Sequence, residues 1–485
     1  MSRDRGAYAV AALAVLARVA LAWYGWAETL AGRVELTSPA DSVLRLREGQ
    51  ALAALDQSPY AGSMLHAPPL VLLLLGPLTR DVPAGLPAVA PFLVADALTA
   101  IALFALAARV ARASDAPGDA PADTATSASA SASASASASG PARPAAVAAA
   151  YLANPMTVAS CVACSTAGMK HLALVASCVA AVDGEVALAG AAFAAFAYLA
   201  GPPAALLFSP VALLLARGGV GGEAALAGDD TDRPRDGGDG ADRPRSRRRA
   251  SRDSNSRAST PIGAFHAHLA LGAWTALWFA ASIAASTAAV ARLGATTSEW
   301  TRATYGFLLR AEDLTPNLGL FWYFFAEMFD EFRAFFLCAF AGFGAFLVLP
   351  AVVRVGRDRP LFCVFVAKTC ATATAPYPTF GDVAGHLAML PLFAEPLSGY
   401  RGGSLVAGAY AFVGILAPIF WRLWIESRVA NANFFFAVTL AHVAAHAALC
   451  VGCAHEVLAH DRRRKRRTRD GGASAEGGAS AKKTR

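Results

Sequence analysis

Long apolar runs separated by short polar breaks dominate this chain. Residues 7–27, 86–110, 264–290 and 434–458 each reach the roughly 20 residues that a helix needs to cross a bilayer. Further apolar runs bring the expected number of crossings to about ten to twelve, several of them short enough to tilt or re-enter. No ten-residue alternating segments occur, and backbone groups in lipid must pair internally, so the expected fold class is all-α. The architecture this implies is a polytopic membrane helix bundle. The run 7–27 is long, contains Arg18 and ends in "AWYGWAE", so it is expected to be an anchor rather than a cleaved signal.

Breaks in the pattern set the organisation. "ANP" (153–155), "AGPP" (200–203) and "APYPTFGD" (375–382) are expected kinks or re-entries, tolerated where backbone lines a cavity or packs on protein. Two stretches leave the pattern altogether: an Ala/Ser-rich insert at 113–144, and an Arg/Asp/Gly-rich insert at 218–262 with "DRPR" twice. Neither has enough apolar surface to fold alone. The expected layout is membrane helices with a first luminal loop over 1–112, more membrane helices over 145–217 and 263–460, and a basic cytosolic tail over 461–485.

Composition sharpens this reading. The chain is 56% hydrophobic and 16% charged with mean hydropathy +0.44, too apolar for an ordinary soluble protein. Its net charge of +7 would suit nucleic acid, but much of the basic charge sits in "RPRSRRRASR" (243–252) and "DRRRKRRTR" (461–469), beside membrane segments. Such clusters stay on the cytosolic side and attract anionic lipid, so no nucleic-acid partner is expected. All eight cysteines lie in or next to apolar runs, where a thiol acts as a small hydrophobe. His442, His446, Cys450 and Cys453 share one helical face but spread over about 16 Å, too far for one ion. No metal site is expected.

Three polar spots stand out in apolar surroundings. In "DLTPNLGLFWYFFAEMFDEF" (313–332), Thr315 and Pro316 suit an N-cap and first helical position, so a helix is expected to start there. Trp322 and Tyr323 suit the headgroup level, with Phe321 and Phe325 beside them. Glu327 and Glu331 fall on one face of that helix, and Arg333 can neutralise only one acid. The acids either point to water at a helix end or meet a cationic group, such as an amine or a partner subunit. In "RVANANFFFAVTL" (428–440), Asn431 and Asn433 precede Phe434 and could donate to phosphate or sugar oxygens; the alternative is an ordinary N-cap that uses Asn433. Asp382, in "YPTFGDVAGH" (377–386), would be expensive unpaired, so a salt bridge or cap is expected there.

These three motifs, with "RVELTSP" (33–39), "SPYAGSMLHAPPL" (58–70), "DALTAIALF" (96–104) and "YLANPMTVASCVACST" (151–166), resemble the PIG-U family of GPI transamidase subunits in order along nearly the whole chain. The chain departs from the family pattern after His66 and in the two inserts. The resemblance implies a multi-pass endoplasmic-reticulum membrane protein, akin in fold to polytopic dolichol-sugar glycosyltransferases. It also implies a non-catalytic role in presenting the GPI lipid, with no cofactor, beside other transamidase subunits that include a cysteine-protease-like catalytic one. Asn431, Asn433, Phe434, Phe321, Trp322, Tyr323, Phe325, Glu327 and Asp382 are the expected lipid or GPI contacts. Lys482 and Lys483 in the closing "KKTR" resemble a dilysine retrieval signal.

Two rival readings remain. A glycosyltransferase using dolichyl-phosphate mannose would need acids in the first luminal loop, where Glu35 and Asp41 stand without a D-x-D or adjacent pair. A transporter would show paired inverted repeats, and none is evident.

Overall fold

The computed structural model describes residues 2–79, 86–115, 143–218 and 263–481. Most of both expected inserts, and Lys482 and Lys483, lie outside the described residues. Among the described residues every regular element is a helix.

Six helices are long and apolar enough to cross a membrane: Asp4–Trp23, Leu86–Arg112, Ala264–Ala291, Asp330–Val355, Gly403–Glu426 and Ala432–Arg466. A seventh crossing arises if Pro144–Ala153 and Pro155–Val162, bent by 55°, count as one. Six further apolar helices of 10–17 residues include Ala167–Val182, Val186–Ala200 and Pro360–Ala373. The expected ten to twelve crossings lie between the long helices alone and this full set, because short apolar runs inside the bundle read like spans.

All three expected breaks are present, each with a local cause. Asn154 is extended, and its side chain accepts a hydrogen bond from Met156 N before Pro155 starts the next helix. Gly201 takes φ +68°, which glycine adopts without strain, and Pro202–Ala204 follows as a 3-10 turn. After Pro360–Ala373 ends, Thr379 and Asp382 form a reciprocal capping box that opens the helix Phe380–Leu387.

The core centres on Pro360–Ala373, buried at every position from Pro360 to Thr372. It packs against Ala205–Gly218, Asp330–Val355 and the last helix, Ala432–Ala481. A helix that is apolar all round belongs in the middle of a bundle; Lys368 is its one charged residue.

A buried ion pair ties the N-terminal helices to one another. Arg18, with no exposed surface, lies 3.0 Å from Asp96 and donates to the carbonyls of Ala14 (3.0 Å) and Leu152 (2.7 Å) and to the Thr157 hydroxyl (3.0 Å). The Tyr151 hydroxyl donates to the other Asp96 oxygen at 3.0 Å. A charge at such depth is tolerable only when paired and hydrogen-bonded on all sides, and this network meets that condition.

Candidate functional site

The helix Gly403–Trp421 carries small residues on one face: Gly403, Ala407, Ala411 and Gly414 recur at spacings of three and four. They leave space instead of filling it. Together with Met156, Phe380, Leu390, Leu449 and Cys453 they line an apolar cavity of about 790 Å³. Ile415, on its wall, is 62% exposed, so the cavity opens along that flank. Lining residues on this helix run from Gly403 to Pro418, which at 1.5 Å per residue is about 22 Å, close to the length of a long acyl chain.

Two charged residues interrupt the apolar lining. Arg33 and Glu35, from the loop after the first two helices, belong to its wall. Glu35 is 3% exposed, and its Oε1 has no hydrogen-bond partner. Burial raises its pKa above the ordinary carboxyl value, against smaller lowering contributions from its own backbone amide and from Arg33. A buried carboxyl with an open lone pair beside a guanidinium suits a ligand that carries both an amine and a phosphate.

A second charge cluster lies next to this loop. Lys170 Nζ donates to Asp41 at 2.9 Å and to Asp382 at 3.4 Å, and Lys368 Nζ reaches the same Asp382 oxygen at 3.5 Å. Ser38 and Thr166 hydroxyls also donate to Asp41, and Thr379 donates through N–H and hydroxyl to Asp382. Asp382 is therefore both cap and salt bridge, as expected from the sequence. Asp41 is fully engaged by donors.

The aromatic motif differs from expectation in four respects. Its helix begins at Phe321 rather than Pro316, because Asp313 and Asn317 turn their side chains onto the backbone N–H groups of Thr315 and Gly319. It breaks after Glu327, so Glu327 and Glu331 stand on different helices and share no face. Arg333 serves no acid; it donates to the Arg310 and Ala311 carbonyls and lies over the Phe325 ring. Trp322 is 3% exposed and donates Nε1–H to the Asn317 carbonyl, so its ring packs on protein instead of facing lipid.

The structure brings several expected site residues together. Tyr323 stacks on Phe436 with ring centroids 4.0 Å apart, and its hydroxyl donates to Asn433 at 2.6 Å. Asn431, not Asn433, caps the last helix, accepting from Asn433 N–H at 3.1 Å. Phe321 and Phe325 are buried among Phe340 and Leu337, whereas Phe434 is 52% exposed. Glu327, Asp330 and Glu331 are exposed and enter no ion pair among the described residues. Of the expected residues, Phe380's neighbour Asp382 alone lies near the cavity; Asn431, Asn433, Trp322 and Tyr323 do not line it.

A family model, GPI transamidase subunit PIG-U, matches residues 12–442. The chain belongs to the PIG-U family. It is 29% identical over 435 residues to the human GPI-anchor transamidase component PIGU, covering 89% of this chain and 88% of that one. It is 27% identical over 425 residues to the GPI transamidase component GAB1 homolog of Schizosaccharomyces pombe, covering 87% and 86%. To the Saccharomyces cerevisiae GPI transamidase component GAB1 it is 35% identical over 160 residues, or 33% of this chain and 40% of that one.

In this PIG-U family member, sequence reasoning missed the cavity and Arg33, and weighed Glu35 only as a catalytic acid. The signal was present: an apolar run with glycine or alanine every three or four residues. Among the described residues, no group of three or more His, Cys, Asp or Glu could hold a metal. The rings of His442 and His446 touch, 4.5 Å between centroids, and their Nδ1 atoms meet the carbonyls of Leu318 and His442.

Proposed function

We propose that this chain is a non-catalytic subunit of a GPI transamidase that holds the GPI lipid while a cysteine-protease-like partner joins it to protein. The observation that carries this reading is the acyl-length apolar cavity whose wall includes Arg33 and Glu35, with Glu35 Oε1 lacking a hydrogen-bond partner. The cavity receives a lipid tail through its open flank. Arg33 and Glu35 then meet the phosphate and the amine of the headgroup. Tyr323, Asn433 and Asn431 stand at the start of the last helix, away from the cavity lining, so in this reading they act on its outer approach rather than on the bound tail. Membership of the PIG-U family supports a transamidase role, and the relatives' names support other subunits as partners.

A partner supplies the chemistry in this reading. Transamidation needs an activated thiol in contact with water and a base. Six of the eight thiols are buried, and exposed Cys338 lies within the apolar helix Asp330–Val355. The dolichol-sugar transferase reading fares worse, since Asp41 is occupied by Lys170, Ser38 and Thr166 and is in no position to act as a base. The basic cluster at 461–469, beside the last membrane helix, supports a multi-pass protein of the endoplasmic-reticulum membrane with that segment in the cytosol.

The test is complementation of cells lacking the family member. A Cβ at Gly414 meets nothing within 4 Å, so Gly414→Phe inserts a ring into the cavity without a backbone clash. The expected result is a complex of normal level and composition with surface GPI-anchored reporter lost. Normal anchoring by this variant contradicts the reading.

A further inference from the structure

Two of the membrane-crossing helices end side by side in arginine. On Asp330–Val355 the exposed face runs through Phe346, Pro350 and Val353 to Arg357 just past the helix end, with Phe343, Leu347 and Arg354 on the adjoining row. These positions are three and four apart, so they form one stripe that is apolar along its length and basic at its tip. The last helix, Ala432–Ala481, repeats the pattern. Ala444, Ala448, Val451 and His455 are exposed on one face, and Arg462 and Arg466 continue that face about two turns further on. Its cavity-lining residues, Leu449 and Cys453, lie on a different face.

An ion pair brings the two tips to one level. Arg359, in the turn after Asp330–Val355, donates to both oxygens of Asp461 at 3.0 Å, so Arg357 and Arg462 flank the same contact. The acids beside them in the chain are already engaged: Asp358 lies 3.7 Å from Arg217, Asp461 is held by Arg359, and Glu456 by Arg463. Arg354, Arg357, Arg462 and Arg466 are exposed and enter no ion pair among the described residues. The basic run at 461–469 alone would give a diffuse attraction; two further arginines on a neighbouring helix make the charge two-sided.

We propose that these four arginines form a seat for anionic phospholipids of the leaflet at that end of the bundle, with guanidinium groups on the phosphates and the two apolar stripes against the acyl chains. A guanidinium matches a phosphate with paired N–H donors, and its long stem lets the charge reach the headgroup layer from an apolar helix face. A phospholipid meets both parts of each stripe. An acidic protein outside the membrane would meet the arginines only, and would leave the apolar rows that lead to them without a role. The seat is separate from the apolar cavity, whose wall contains none of the four arginines, and it does not depend on what fills that cavity.

The test reconstitutes the full-length chain in nanodiscs of phosphatidylcholine with a minor fraction of phosphatidylserine, re-extracts it in mild detergent and counts the retained lipids by mass. Phosphatidylserine is expected to be enriched over its bulk ratio by about fivefold or more, the factor that one basic side chain near an anionic surface supplies. Arg357→Gln/Arg462→Gln should bring that ratio most of the way back to bulk. The control, Arg292→Gln/Arg302→Gln, removes the same charge from two exposed arginines without ion pairs at the opposite end, where Arg310 bonds the Arg302 carbonyl and Arg333, in the first turn of Asp330–Val355, bonds the Arg310 carbonyl. It should leave the enrichment unchanged. The unaltered chain gives an arm that needs no variant to fold: at about 1 M salt, where screening shortens the reach of exposed charges to about 3 Å, the enrichment should fall. A bulk ratio on the unaltered chain, enrichment that ignores salt, or equal losses in the two variants overturns the seat. An Arg357→Gln/Arg462→Gln complex that keeps its phosphatidylserine but loses a co-purifying protein would make this surface a protein-docking site, and that too overturns it.

Discussion

The aromatic motif around Trp322 and the face of Gly403–Trp421 are both strongly apolar, yet they do opposite things. In the first, large rings fill their own space: Trp322, Phe325 and Phe435 are each 3% exposed or less. In the second, glycines and alanines at helical spacing leave about 790 Å³ open. Aromatic density marks where protein packs on protein. Small residues on an otherwise apolar face mark where something else can enter.

Substitutions in the two regions should separate stability from function. Trp322→Ala empties a packed, hydrogen-bonded core position, for an expected loss of about 3–5 kcal/mol, read as lower protein level and a lower midpoint in thermal unfolding. Gly414→Phe should reverse this pattern, with normal level and lost anchoring. A Trp322→Ala protein that assembles normally would break the contrast.

Glu35→Gln sharpens it. Because burial raises the Glu35 pKa, the folded state favours the protonated form, and that contribution is present below the ordinary carboxyl value and lost as pH rises through the raised one. The variant should therefore be more stable than the unaltered chain near pH 7 and no more stable at pH 4, while losing affinity for an amine-bearing lipid. Reduced stability at pH 7 would show that Glu35 has a structural partner. Asn431→Ala removes the cap of the last helix and should cost about 1 kcal/mol. Asn433→Ala loses only the Tyr323 hydrogen bond, so a deficit in anchoring at unchanged stability would place this pair on the ligand path. Glu327→Ala should change stability by less than about 0.5 kcal/mol, as expected of an exposed side chain without an ion pair.

Much of the fold was legible because lipid imposes simple rules. Run length gave the long spans, and Asn154–Pro155, Gly201–Pro202 and Thr379–Asp382 announced the breaks through their own backbone chemistry. The helix start at Phe321 was misread because Thr315–Pro316 is an equally good local signal, overridden when Asp313 and Asn317 turned onto the backbone. Pairings such as Arg18 with Asp96, or Lys170 with Asp41 and Asp382, join residues 78 to 212 positions apart, and no local pattern encodes them. The cavity was hardest to see, since empty space is written as the absence of side chains.

The most direct measurement is the mass of lipid that stays bound to the purified, assembled complex. The account predicts that a glycosylphosphatidylinositol co-purifies with the unaltered chain and is lost from an equally assembled Gly414→Phe complex. Retention of that lipid at the same stoichiometry in the variant would show that the space beside Gly414 is not where the lipid lies.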